Sequence, residues 1–262
     1  MNSTYGMFGI ERRGCVAFVT IDRPERRNAI DLDGWSALRA LAADVDEDDE
    51  VRAVVFRGAG GQAFSAGADI SEFEQVRNDS VQARSYGEAI DGALAAVESL
   101  RKPTVAAIRG FCVGGGCDLA AACDIRIATE DSTFGMPVAR LGILVSYDEM
   151  RRLVRLIGYG NTNDLLVTGR LLDTAEAHRI GLVTQVAAPD DLERCVDDLV
   201  RRIVELSPRS HRSHKEMMRA LDGIAELTPE QEAIQYTAFD SADYREGRAA
   251  FLERRPPRFE GS

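Results

Sequence analysis

Hydrophobic residues along the first 190 positions follow two alternating patterns. Short apolar runs predict strands at residues 15–21, 51–56, 104–109 and 125–128. Between them, apolar residues recur three or four positions apart, which predicts amphipathic helices. The two clearest helical stripes are Trp35, Leu38, Leu41 and Val45, and Ile90, Ala93, Leu94, Val97 and Leu100. Strands that alternate with helices predict an α/β core, and Asp31 and Asp33 are cap candidates for the first helix.

After about residue 190 the apolar positions have helical spacing only. Helices are predicted at residues 192–206, 208–221, 229–239 and 244–254. No linker composition separates this region from the preceding one. We therefore interpret residues 191–262 as a helical subdomain that follows a core of residues 1–190.

The composition is that of a soluble, acidic protein. Its 262 residues are 45% hydrophobic, which suffices for a sizeable core. The net charge of −11 argues against nucleic-acid binding, because phosphate contacts need a basic surface. No apolar stretch reaches the roughly 20 residues of a membrane span and the N-terminus lacks an apolar signal core, so we expect a cytoplasmic location and no membrane contact.

Two glycine-rich loops carry the candidate chemistry. Residues 110–118 join a predicted strand to a small-residue helix, and residues 58–69 leave another predicted strand. Unpaired N–H groups at such a helix start can bind a phosphate or stabilise an oxyanion. The glycine spacing does not match a dinucleotide fingerprint, and no Gly-Lys-Ser/Thr follows. An alternative is that the glycines serve only the close packing of helix against strand.

Many short motifs in a fixed order resemble the enoyl-CoA hydratase/isomerase (crotonase) family. The motifs cover residues 23–31, 64–70, 102–110, 114–120, 123–125, 134–137, 141–143, 168–170, 175–177 and 181–183. The resemblance implies a crotonase-like spiral core of repeated ββα units with a C-terminal helical subdomain. It also implies that this subdomain takes part in the contacts of a homotrimer or a dimer of trimers.

By motif position, the resemblance assigns an oxyanion hole to the N–H groups of Ala68 and Gly115. These groups would hold the thioester carbonyl of an acyl-CoA substrate, whose coenzyme A is part of the substrate, and neither a separate cofactor nor a metal is expected. The polar, mobile-looking segment 73–87 is expected to contribute to the acyl pocket. The residues expected to contact the substrate are Arg26, Ala66, Asp69, Ile70, Gly114, Val138, Tyr147 and Phe239.

The catalytic acids depart from the family pattern. A family hydratase holds water between two glutamates, whose positions are occupied here by Asp118 and Val138. Asp118 keeps a carboxylate but is one methylene shorter, and valine cannot transfer a proton. The loop that follows offers substitutes, namely Ser146, Tyr147, Asp148 and Glu149. We predict that Asp148 and Glu149 cap a helix that begins near Met150.

Three functions remain open at this point. The first is an enoyl-CoA hydratase or isomerase that uses Asp118. The second is another enolate reaction on an acyl-CoA, such as decarboxylation or thioester hydrolysis. The third is an acyl-CoA-binding or RNA-associated protein with little or no catalysis, although the acidic charge counts against RNA.

Overall fold

The computed structural model describes residues 3–221 and 228–261. The strands are β1 (Ser3–Tyr5), β2 (Phe8–Arg13), β3 (Val16–Ile21), β4 (Ala53–Gly58), β5 (Ala63–Ser65), β6 (Thr104–Ile108), β7 (Phe111–Val113), β8 (Ile125–Thr129), β9 (Thr133–Gly135), β10 (Leu171–Asp173) and β11 (Gln185–Ala187). The α-helices are α1 (Leu32–Glu47), α2 (Phe73–Val76), α3 (Ser80–Ser99), α4 (Gly115–Ala122), α5 (Tyr147–Thr168), α6 (Thr174–Arg179), α7 (Leu192–Val204), α8 (Pro208–Ala220), α9 (Pro229–Thr237) and α10 (Ala242–Glu253).

The strands form two sheets. In the described part of the chain, the larger sheet has the order β1-β2-β3-β4-β6-β8-β11 and the smaller one the order β10-β9-β7-β5. All neighbours from β3 to β11 in the larger sheet are parallel, as are β5, β7 and β9 in the smaller one. Three successive pairs of strands give one strand to each sheet, and each pair is followed by a helix. These pairs are β4 and β5, β6 and β7, and β8 and β9. The predicted α/β core of repeated ββα units is confirmed.

The predicted helical stripes form the main core. Trp35, Leu38 and Leu41 of α1 are fully buried, as are Ala93 and Leu94 of α3. The two helices pack on each other over one face of the larger sheet. Asp31 caps α1 as predicted, because its side chain accepts a hydrogen bond from the N–H of Gly34.

The opposite face of the larger sheet is covered by α7. Leu192, Val196 and Val200 of this helix pack against Phe18 and Val55 in a second apolar cluster. The helix therefore shares a core with strands from the first half of the chain. The division into a core of residues 1–190 and a helical part of residues 191–262 stays a prediction, as does the trimer.

Two helices begin earlier than the sequence pattern indicated. The polar segment 73–87 contains α2 and the first two turns of α3, because Asp79 caps α3 by accepting hydrogen bonds from the N–H groups of Val81 and Gln82. Helix α5 begins at Tyr147 and not near Met150. No helix in residues 3–221 and 228–261 combines the length and hydrophobicity needed to cross a bilayer.

Candidate active site

Asn28 holds the first glycine-rich loop in place. It is fully buried with φ of 57°, a left-handed conformation that asparagine tolerates better than most residues. Its side-chain amide donates to the carbonyls of Ala59 and Ala63 at 3.0 and 2.8 Å. The backbone carbonyl of Asn28 accepts a hydrogen bond from Ser65 Oγ. Ser65 Oγ in turn accepts a hydrogen bond from the N–H of Gly67. This chain of hydrogen bonds fixes the backbone that follows β5.

The second glycine-rich loop places the start of α4 against β5. Gly114 is the N-cap of α4 with φ of 53°, a conformation that favours glycine. A Cβ at Gly116 would lie 2.3 Å from the carbonyl oxygen of Ser65, so only glycine permits this close approach. The two loops are therefore in direct contact.

The N–H groups of Ala68 and Gly115 lie at this junction. A Cβ at Gly115 would lie 3.6 Å from Ala68 N, and a Cβ at Gly67 would lie 2.8 Å from Gly115 N. The next N–H group along the first loop is hydrogen-bonded, because Asp69 donates it to the carbonyl of Ile30. Neither Ala68 nor Gly115 donates its backbone N–H to an acceptor among residues 3–221 and 228–261. The two N–H groups thus lie close together where the loops meet.

A cavity of about 870 Å³ adjoins these donors, within the usual size range of small-molecule sites. Its wall includes seven residues that the sequence analysis assigned to the site, namely Ala66, Ala68, Ile70, Gly114, Gly115, Asp118 and Val138. Further lining comes from α2, α3, the turn after β9 and the start of α5. The structure therefore brings these seven residues, which are distant in sequence, together in one cavity wall.

Four other predicted residues lie outside this cavity wall in the described structure. Arg26 is exposed on the turn at Pro24–Arg26, and Asp69 is engaged locally, because its carboxylate contacts Arg23 at 2.8 Å. The side chain of Tyr147 is 87% exposed at the start of α5. Phe239 is 57% exposed and packs edge-on against Tyr244, with 5.0 Å between ring centroids.

Asp118 is a fully buried carboxyl group in the first turn of α4. Neither of its side-chain oxygens receives a hydrogen bond from a donor in the described residues. Burial raises the pKa of Asp118 well above its usual value, and the nearby carboxylate of Glu149 raises it further. The positive charge of Arg152 opposes these effects more weakly. Asp118 is therefore a carboxyl group that holds its proton unusually strongly.

Glu149 lies both in the cavity wall and in the cap of α5. The N–H of Ser146 donates to Glu149 Oε2 at 2.5 Å, and the N–H of Glu149 donates to Ser146 Oγ at 3.1 Å. This reciprocal capping box confirms the predicted capping role of Glu149 and explains why α5 starts at Tyr147. The Glu149 carboxylate also raises the pKa of Asp118. The cap thus fixes a second carboxylate close to Asp118.

Three further charged residues were not singled out from the sequence. Arg152 is 3% exposed and donates its Nε–H to Glu98 at 2.9 Å, while its Nη1 has no hydrogen-bond partner among the described residues. Arg77 and Arg84 line the cavity. The spacing of residues 77, 80, 84 and 87 is the signal that could have indicated this shared face.

The buried carboxyl of Asp118 sets an expected dependence of stability on pH. Because its pKa is higher in the folded protein than in the unfolded chain, the folded state binds the proton more strongly. This stabilisation is complete below about pH 4 and is lost as the pH rises towards the folded-state pKa, by up to roughly 1.4 kcal/mol per pH unit.

We therefore expect the Asp118→Asn variant to have a larger free energy of unfolding than the wild type at neutral pH. The difference should shrink towards pH 4, where both side chains are uncharged. Urea unfolding of the two proteins between pH 4 and pH 8 measures it. A difference that does not change with pH would mean that Asp118 ionises as easily in the folded state as in the unfolded one.

Comparison with known proteins gives one consistent result. The family model described as enoyl-CoA hydratase/isomerase matches residues 11–262. The chain is 35% identical over 249 residues to a short-chain-enoyl-CoA hydratase of Clostridium acetobutylicum, covering 94% of both chains. It is 37% identical over 259 residues to a probable enoyl-CoA hydratase of Mycobacterium tuberculosis, covering 98% of both. A crystal structure of an enoyl-CoA hydratase/carnithine racemase from Magnetospirillum magneticum superposes with a TM-score of 0.97 at 34% identity, covering 100% of this chain and 97% of that one.

Proposed function

Because the chain belongs to the enoyl-CoA hydratase/isomerase family, we propose that it adds water to a 2-enoyl-CoA thioester with Asp118 and Glu149 as its acid and base. One observation carries this proposal. Two carboxyl groups lie in the wall of the same cavity as two unpaired backbone N–H groups. The valine at position 138 removes the family's second acid, and Glu149 supplies another from the start of α5.

The N–H groups of Ala68 and Gly115 hold the thioester oxygen. Negative charge grows on this oxygen as the reaction proceeds through an enolate, so the two donors bind the transition state more strongly than the substrate. Loss of one donor from such a hole costs about 3–4 kcal/mol in known cases. The donors here are rigid, because close packing around Gly67 and Gly116 fixes both loops.

The two carboxyl groups divide the proton transfers between them. The Glu149 carboxylate removes a proton from water while the water oxygen bonds to Cβ of the substrate, and the electrons of the C=C bond move into the enolate. Asp118, protonated because of its burial, delivers its proton to Cα as the thioester carbonyl re-forms. The net change is the addition of one water. The proton gained by Glu149 then passes to Asp118, since the two neighbouring groups share a site.

Product analysis on a panel of acyl-CoAs tests this function. Incubation with 2-enoyl-CoA is expected to give a product heavier by one water. A shifted double bond at unchanged mass would instead indicate isomerisation, and free CoA thiol would indicate thioester hydrolysis. Loss of carbon dioxide from a malonyl-type CoA would indicate decarboxylation. Tight binding of every thioester without turnover would support the binding-protein alternative and contradict hydration.

The Glu149→Gln variant separates the two roles of this side chain. Glutamine keeps the capping box, because its side-chain oxygen can still accept from the N–H of Ser146. It cannot act as a base, so we expect kcat for hydration to fall on the order of 100-fold while the melting temperature hardly changes. Steady-state kinetics and thermal unfolding measure the two effects.

Glu149→Ala is the matched comparison for the cap. It should lose the same activity and also about 1 kcal/mol of stability, since the N–H of Ser146 loses its acceptor. If Glu149→Gln hydrates as fast as the wild type, Glu149 is only a cap and the base lies elsewhere.

A further inference from the structure

We propose that the acyl chain of the substrate ends in a carboxylate, and that Arg77 and Arg84 bind this group at the far end of the cavity. The inference rests on the proposed function, because it identifies the substrate class of the same site. It makes the protein a hydratase for enoyl-CoA thioesters of dicarboxylic acids. The argument depends on one face of α3 and on the charges along it.

One face of α3 forms a wall of the cavity along several turns. The lining positions follow helical spacing and are Ser80, Ala83, Arg84, Gly87, Ile90 and Asp91. Arg77, which ends α2 just before α3 begins, also lines the cavity. A substrate chain that lies along the cavity therefore passes the side chains of this face in order.

The charges on this face are arranged by sign. Asp91 lies at the end near the reacting groups, because its carboxylate accepts a hydrogen bond from Ser146 Oγ at 2.8 Å. Arg84 lies seven residues earlier, which is roughly 10 Å along the helix axis. The carboxylates of Asp91 and Glu149 thus make one end of the cavity negative, whereas Arg77 and Arg84 make the other end positive. An anionic tail is repelled from the first end and attracted to the second.

The two arginines have no carboxylate partner among the described residues. Arg84 forms neither an ion pair nor a hydrogen bond through its side chain there, and Arg77 contacts only the rings of Phe73 and Tyr86, each about 5.1 Å from its guanidinium carbon. Arg152 and Arg155, by contrast, are both paired with Glu98. Guanidinium groups in a cavity wall without a carboxylate partner among the described residues offer charge-assisted donors to a carboxylate ligand.

The phosphates of coenzyme A have another set of cations available. The turn that carries Arg26 and Arg27 lies beside the first glycine-rich loop, since the N–H of Ala66 donates to the carbonyl of Arg27. Neither of these two arginines lies in the cavity wall in the described structure. The phosphates can therefore be held on the side of Arg26, which leaves Arg77 and Arg84 to the acyl chain.

Binding of saturated acyl-CoAs tests the inference without requiring turnover. Calorimetry compares pairs of equal chain length that end in a methyl group or in a carboxylate, over chains of four to ten carbons. We expect the wild type to bind the carboxylate form roughly 10- to 100-fold more tightly at the best length. Arg77→Gln and Arg84→Gln should each remove most of this preference, and Arg84→Lys should keep part of it.

Arg248→Gln is the matched control. Arg248 is exposed like Arg84 and lies near an aromatic ring like Arg77, in its case that of Tyr244, but it is on α10 outside the cavity wall. Its replacement should leave both affinities unchanged. The inference is overturned if the wild type binds both forms equally or prefers the methyl form. It is also overturned if Arg77→Gln and Arg84→Gln weaken both forms by the same factor, because the arginines would then bind coenzyme A itself.

Measuring the hydration rates of the corresponding 2-enoyl-CoAs distinguishes a failure of this inference from a failure of the proposed function. Preferential binding of the carboxylate form without hydration of either form would support the inference and contradict the proposed function. Hydration of both forms with equal binding would support the function and contradict the inference. A higher kcat/KM for the carboxylate form, lost in Arg84→Gln, would support both.

Discussion

The Asp118→Asn variant is expected to lose roughly 100- to 10,000-fold of kcat for hydration of a 2-enoyl-CoA. Asparagine keeps the shape of the side chain but has no proton to deliver to Cα. The effect is expected to be large because Asp118 is fully buried beside Glu149, where no bulk water can replace it as the acid. Steady-state rates over a range of substrate concentrations separate the loss in kcat from any change in KM.

Unfolding can be excluded as the cause of this loss. Asp118→Asn is expected to be more stable than the wild type at neutral pH, so a stable but inactive variant supports a role in proton transfer. The pH profile adds a second criterion, because the limb that reports the acid should disappear in the variant. Unchanged hydration by Asp118→Asn would remove this residue from the mechanism and leave Glu149 as the acid.

Replacement of Gly115 by proline should lower kcat/KM roughly 100- to 1,000-fold, because proline removes one of the two N–H donors to the thioester oxygen. The fold is expected to persist. Gly115 is the first residue of α4, a position where proline is well tolerated, and its missing N–H costs no internal hydrogen bond. The rate of hydration and the circular dichroism spectrum of the purified variant measure both expectations.

Gly115→Ala is the matched control for this substitution. Any Cβ at this position lies 3.0 Å from Cζ2 of Trp35, so both variants share the crowding of the Cβ, whereas only proline replaces the N–H by a ring carbon. The ratio of their rates therefore reports the replacement of the N–H, separated from the effect of the Cβ. Equal activity of the two variants would show that the Gly115 N–H does not contact the substrate.

The parts of the fold that the sequence predicts are those dominated by burial. The strand at β6 and the stripe of Trp35, Leu38 and Leu41 follow directly from apolar periodicity. The two glycine-rich loops were also identifiable, because close approaches such as that of Gly116 to Ser65 leave no alternative residue. These features depend on local chemistry, which a sequence displays directly.

The second carboxylate was harder to assign for a physical reason. Whether Glu149 faces the cavity depends on where α5 starts, and a shift of three residues turns a helical side chain through most of a full turn. The capping box between Ser146 and Glu149 fixes the start of α5 at Tyr147. The same cap therefore also places Glu149 in the cavity wall. Similarly, Arg84 lies in a helical wall of the cavity only because Asp79 starts a helix within a polar segment.

The hydrogen bond from Ser146 to Asp91 has a practical consequence for protein engineering. Ser146 also closes the cap that holds Glu149, so the wall proposed to select the acyl chain and the carboxylate proposed to activate water are joined through one hydroxyl. Mutant libraries aimed at new substrates should therefore vary the α3 face at Ala83, Arg84 and Gly87 and leave Asp91 unchanged. Libraries that randomise Asp91 would alter selectivity and turnover together, and improved variants would be rare among them.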